Sequence, residues 1–158
     1  ALKLAPNNTD VLYRKAMVAE RLGWLKQAET SLKTLITLRP NDPLGYNALG
    51  YMWLEHGEPA SKVRPYIEKA VALSEGKDGS IVDSMGWLCF REGNFAQAEK
   101  WIRRALVLEP NEPEIALHLA QILIRQQKTA QARRVLQELL AKDPKNNPAQ
   151  LLLKKIQP

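Results

Sequence analysis

The chain of 158 residues has a single cysteine, Cys89, so no disulfide can form within it and packing must carry its stability. Its two histidines, His56 and His118, stand at no spacing that would join them to each other or to Cys89 as metal ligands. No metal site and no cofactor are therefore expected. Cys89 occupies an apolar helical position, where a core role fits better than a nucleophile. No G-x-S-x-G, P-loop or G-x-G-x-x-G occurs, and the acidic residues are scattered over solvent faces, so no catalytic residue is expected and the chain reads as a non-enzyme. No apolar run approaches the roughly 18–20 residues needed to cross a bilayer. The start, Ala1 to Pro6, has no basic region followed by a long apolar core, although a trimmed chain would look the same.

What is present is an ordinary globular balance, 45% apolar and 25% charged, with a net charge of +6. The charge is uneven. Residues 113–158 carry eight Lys/Arg against three Asp/Glu, whereas residues 43–112 carry eight against ten. Arg125, Lys128, Arg133, Arg134, Lys142, Lys145, Lys154 and Lys155 make up the basic third. No stacking aromatics lie among them, so a solvated helical face is the expectation and nucleic acid is an unlikely partner class.

A landmark recurs along the chain: a proline in a polar turn after an apolar stretch. It appears at Pro6, Pro40, Pro110 and Pro144, at spacings of 34, 70 and 34 residues. The middle gap is two periods plus two residues. Small residues keep the same phase: Ala16 and Ala28, Gly86 and Ala98, Ala120 and Ala132 are each twelve apart, and Gly50 fills the first of these roles in the second unit. Small side chains at fixed positions let two helices approach closely. Helical stripes such as Ile115, Leu119, Ile122 and Leu123 alternate with glycine turns at Gly23, Gly57 and Gly93. Each unit thus reads as two antiparallel helices of about 12–14 residues, predicted at 9–22 and 25–38, 43–56 and about 60–73, 79–92 and 95–108, 113–126 and 129–141.

These phased residues resemble the tetratricopeptide (TPR) repeat, whose 34-residue pattern is W-x2-L-G-x2-Y, A-x3-F and P. Tyr46-x2-Leu49-Gly50-x2-Trp53 matches it with the aromatics exchanged. Ala98-x3-Ile102 with Pro110, Ala28-x3-Leu32 with Pro40, and Ala132-x3-Leu136 with Pro144 match its second half. The resemblance implies an all-α, right-handed superhelical solenoid of antiparallel helix pairs. It divides a single domain, 1–158, into the tail of a preceding repeat (1–6), repeats at 9–42, 79–112 and 113–146, an irregular repeat at 43–78, and a C-terminal capping helix at 147–158. In the irregular repeat Pro65 removes a backbone bond, which predicts a late start or a kink. The unpolar start at Leu2 and Leu4 suggests a fragment of a longer array, with self-association possible through that uncapped edge.

The resemblance also implies a protein or peptide partner held in a groove lined by each first helix. Carried over by register, the groove positions include Tyr13, Met17 and Arg21, then Asn47, Tyr51 and Leu54, then Asp83, Trp87, Phe90 and Arg91, and finally Gln121, Ile124 and Arg125. Tyr13, Met17, Tyr51, Trp87 and Phe90 are expected to form an apolar strip of the kind protein interfaces use, though Trp87 and Phe90 could equally pack between neighbouring repeats. Tyr13, Met17, Ala48, Ser80 and Ser84 cannot supply the charges of the family's clamp for chaperone tails. The stretches 47–51, 83–87 and 113–120 look like the C-terminal TPR region of proteobacterial outer-membrane lipoproteins, some of which resemble adaptors for a periplasmic C-terminal-processing protease. That likeness implies a periplasmic, outer-membrane-tethered scaffold or adaptor, with a cytoplasmic location as the alternative. The other reading is a spacer segment of a longer solenoid with no ligand of its own.

Overall fold

The computed structural model describes residues 8–157, and among them it places nine α-helices and no strand. They are α1 (Thr9–Arg21), α2 (Leu25–Leu38), α3 (Pro43–Glu55), α4 (Ala60–Leu73), α5 (Gly79–Arg91), α6 (Phe95–Leu108), α7 (Pro113–Arg125), α8 (Thr129–Lys142) and α9 (Asn147–Ile156). The expected repeat tail at 1–6 lies outside the described residues. The chain divides into two compact units, the first holding α1–α4 and the second α5–α9, with the boundary between Glu75 and Gly76.

Helix starts are set by side-chain caps. Asn8, Asp42, Asp78, Asn94 and Asn146 each accept a backbone N–H from the first turn of the helix that follows. Pro43 and Pro113 occupy the first turn, where a missing N–H leaves nothing unpaired. Four hairpin turns close identically. Trp24, Glu58, Asn94 and Lys128 donate their N–H to Ala19, Trp53, Cys89 and Leu123, while Gly23, Gly57, Gly93 and Gln127 donate to Glu20, Leu54, Phe90 and Ile124. This paired pattern is the Schellman closure, and it requires a left-handed residue just past the helix. Gly23, Gly57 and Gly93 supply it with φ of 75°, 81° and 82°, and in the fourth hairpin Gln127 adopts φ 62° without being glycine.

In the first unit α1 packs on α2, α2 on α3, and α3 on α4. Ala16, Ala28 and Leu32 are buried on the first pair, Leu35 lies against Gly45 of α3, and Leu49, Gly50, Val63 and Ile67 are buried on the second pair. α4 starts at Ala60, with Pro65 inside it, so the late start expected there does not occur. The reason is a register change. α3 lies 34 residues after α1, but α4 lies 35 after α2, the added residue being accommodated at Pro59, which caps the helix in an extended conformation. A second added residue lies in the turn after α4, where Glu75 and Gly76 both take positive φ.

In the second unit α5 is buried along nearly its whole length, from Gly79 to Cys89. At Gly86 a Cβ would sit 2.5 Å from Ile102 Cδ1 and 3.2 Å from its backbone nitrogen, so α6 closely approaches the α5 backbone there and any side chain would force Ile102 to move. α7 packs on α6 and α8, and α9 covers the end of this stack by burying Ala149 against Ala120, Leu136 and Leu139. Full burial of a leucine such as Leu136 contributes about 1.5–3 kcal/mol.

Candidate functional site

The first helix of each hairpin carries the expected partner-binding residues, and the two units are taken in turn. On α1, Tyr13, Met17 and Arg21 fall four residues apart and share one stripe. Tyr13 and Met17 are half-buried and Arg21 is exposed. On α3, Asn47 and Tyr51 are half-buried, whereas Leu54 is only 2% exposed and belongs to the core. Asn47 Oδ1 is shut off from solvent and meets no hydrogen-bond donor among the described residues. An acceptor left in that state costs about 1–3 kcal/mol, and such a group calls for an explanation beyond packing.

In the second unit the structure departs from the expected strip. Trp87 is 6% exposed, and its ring stacks on Phe90 at 4.5 Å between centroids and on His118 at 4.1 Å. His118 Nδ1 stands 2.8 and 3.0 Å from the two oxygens of Asp83, and both residues are buried. Asp83 and Trp87 therefore face each other's neighbours inside the fold and offer little surface to a partner. The physical reason is the four-residue spacing of Asp83 and Trp87, which puts them on one turn-to-turn line facing α7, where His118 sits between them. Burial pushes the Asp83 carboxyl above the usual carboxylate range, and the hydrogen bond from His118 opposes that shift. His118 is the residue that sequence reasoning missed. Its signal was an offset of 35 from Asp83, one period plus one residue, which sets the two on neighbouring first helices.

The outer edge of this cluster remains accessible. Phe90 is half-buried, its ring 5.6 Å from that of Phe95, and the Arg125 guanidinium lies 5.8 and 5.0 Å from the two ring centres. Such cation–π contacts keep Arg125 against the aromatic pair. Gln121 and Ile124 on α7 are half-buried, and Arg91 on α5 is exposed. The accessible set is thus Tyr13, Met17, Arg21, Asn47 and Tyr51 in the first unit, and Phe90, Arg91, Gln121, Ile124 and Arg125 in the second. Among the described residues no group of three or more His, Cys, Asp or Glu side chains could hold a metal ion, and no helix is long and apolar enough to cross a membrane.

Two family models, each described as a tetratricopeptide repeat, match residues 9–42 and 89–156. The chain carries tetratricopeptide repeats. A TPR repeat-containing protein of Pseudomonas aeruginosa, PA4667, is 37% identical over 120 residues, which is 76% of this chain and 20% of that protein. The tetratricopeptide repeat-containing protein trd-1 of Caenorhabditis elegans is 31% identical over 91 residues, 58% of this chain and 11% of that protein. This chain therefore spans a fifth or less of the curated TPR relatives it matches. Among solved structures, PilW, a widely conserved type IV pilus biogenesis factor, superposes with a TM-score of 0.84 at 20% identity over 98% of this chain and 71% of its own. The TPR protein TTC0263 of Thermus thermophilus gives 0.80 at 23% identity over 98% and 84%. YrrB, a TPR protein with an unusual peptide-binding site, gives 0.66 at 15% identity over 95% and 76%. At these identities the likeness is one of fold, an all-α TPR architecture.

Proposed function

We propose that this chain is a protein-interaction scaffold whose TPR first helices bind a protein or peptide partner, and that it performs no catalysis of its own. The observation that carries the reading is the recurring half-exposure of large side chains on first helices, at three register positions: Tyr13 at one, Met17 and Tyr51 at the next, and Phe90 and Ile124 at the third. A purely solvated face would not hold aromatic and aliphatic groups there, whereas interfaces use such anchors with charged neighbours, here Arg21, Arg91 and Arg125. The unpaired Asn47 acceptor adds to this, since a hydrogen-bond donor brought by a partner would relieve it after a small rotation of its amide. The peptide-binding site described for YrrB is a precedent within the fold.

The test is affinity capture from a bacterial envelope extract with the native chain and with a Tyr13→Ala, Tyr51→Ala, Phe90→Ala variant, both shown to be helical by circular dichroism. A partner held by the native chain and lost by the variant supports the scaffold. Equal capture by both would sink it. If neither holds a partner, the spacer reading takes its place. The finer reading is a periplasmic scaffold, tethered to the outer membrane in a longer protein, that docks a C-terminal-processing protease. It rests on the sequence resemblance and is tested by titrating such a protease, purified, into the chain; absence of saturable binding rejects it.

A further inference from the structure

The first unit has a second concave feature that the first-helix stripe does not use. Between α2 and α4 lies a cavity of about 520 Å³, lined by Lys33 and Ile36 from α2, Tyr46 from α3, and Pro65, Tyr66 and Lys69 from α4. Its wall is aromatic and held in place. The Tyr46 hydroxyl donates to the Pro40 carbonyl at 3.1 Å, the Tyr46 and Tyr66 rings are 6.2 Å apart, and Tyr66 meets Trp53 edge-on at 4.8 Å. Its charge is of one sign. Lys33 pairs with Glu29, but Lys69 has no ion-pair partner among the described residues, and no carboxylate lines the cavity.

The second unit provides an internal comparison. The same groove recurs between α6 and α8 as a cavity of about 640 Å³. By helix register Arg103 stands for Lys33, Ala116 for Tyr46, Val135 for Tyr66 and Glu138 for Lys69. There the charges are mixed, with Arg103 and Lys142 set against Glu112, Glu138 and Asp143. A groove required only by the repeat would not need two tyrosines and an unpaired lysine in one copy.

We propose that the α2–α4 groove binds a short acidic segment of a partner protein, with an aliphatic side chain against Ile36, Tyr46, Pro65 and Tyr66 and carboxylates facing Lys33 and Lys69. An apolar floor with like-signed rims fits such a segment through burial and charge complementarity together. This surface is independent of the first-helix stripe, so either reading can fail without the other.

The test uses the full chain and a fluorescein-labelled, capped hexapeptide alternating leucine and aspartate, followed by anisotropy at low ionic strength. The control peptide replaces each aspartate by asparagine. Saturable binding of the aspartate peptide, about tenfold weaker for the asparagine peptide and about tenfold weaker for Lys69→Glu, supports the proposal. Lys69 is exposed, so its reversal leaves the fold intact, which circular dichroism checks. Tyr13→Ala with Tyr51→Ala should leave this binding unchanged. No saturable binding, equal affinity for both peptides, or indifference to Lys69→Glu overturns it. So does Lys69-dependent binding to phosphatidylserine vesicles without binding to the peptide.

Discussion

Gln127 and Glu99 show how single side chains carry consequences that the repeat pattern hides. Gln127 holds the left-handed position that glycine holds in the other three hairpins, with φ 62°. A residue with a Cβ is strained there, so Gln127→Gly should stabilise the chain by about 0.5–1 kcal/mol, read as a higher urea midpoint at unchanged slope. Glu99 presents a different case. Burial raises its carboxyl pKa, but hydrogen bonds from Lys128, Arg103 and Gln126 outweigh burial and hold it at about 2 against an ordinary 4.5. A depressed acid contributes stability that is fully present above pH 4.5 and is lost as pH falls toward 2. Its side chain is only 15% exposed, so the contribution is roughly 2–3 kcal/mol. Glu99→Gln should therefore lower stability at pH 7, and its difference from the native chain should shrink between pH 4.5 and 2. Urea titrations across that range check it, and a pH-independent difference would count against the assignment.

At the scale of elements, α4 runs against local preference. Pro65 sits at its sixth position, where it cannot donate to the Ser61 carbonyl. The helix survives because Val63, Ile67 and Ala70 are fully buried on one face while Pro65 itself is exposed. Tertiary burial outweighs propensity here. Pro65→Ala restores the bond and should raise stability by about 1–3 kcal/mol, with stronger helical dichroism at 222 nm. It also removes a wall of the α2–α4 groove, so the same variant should bind the leucine–aspartate peptide less tightly while being more stable. Between α2–α4 and α6–α8 equivalent helices of different repeats line their groove with different chemistry, two tyrosines and two lysines in the first against mixed charges in the second.

For the whole molecule, the net charge of +6 and an isoelectric point near 9.5 favour anionic surfaces over cationic ones. The chain should bind a cation exchanger at pH 7, elute with moderate salt, and be least soluble near pH 9.5. The basic excess in residues 113–158 is partly committed within the second unit. Lys128 pairs with Glu99 at 2.6 Å, Arg133 donates to the Ile156 carbonyl, and Lys142 to Asn111.

The helices, their hairpin pairing and the repeat period were legible in the sequence because they depend on local signals: proline turns, capping Asn and Asp, glycine past helix ends, and small residues where helices touch. Helix ends came out one residue short of the expected 22, 56, 92 and 126, since those residues serve as C-caps with their carbonyls outside the helix. The stripe of first-helix residues came from the resemblance to the TPR family, carried over by register. Which members of that stripe stay accessible was not legible. Asp83 shares the register of Tyr13, Trp87 that of Tyr51, and Leu54 that of Phe90 and Ile124, yet Leu54, Asp83 and Trp87 are buried. Period assigns a direction, whereas exposure depends on which side chains of other helices arrive there, and His118 reaches Asp83 and Trp87 from 35 and 31 residues away. The α2–α4 groove is of the same kind: its lysines and tyrosines come from three helices, and only tertiary packing puts them around one cavity.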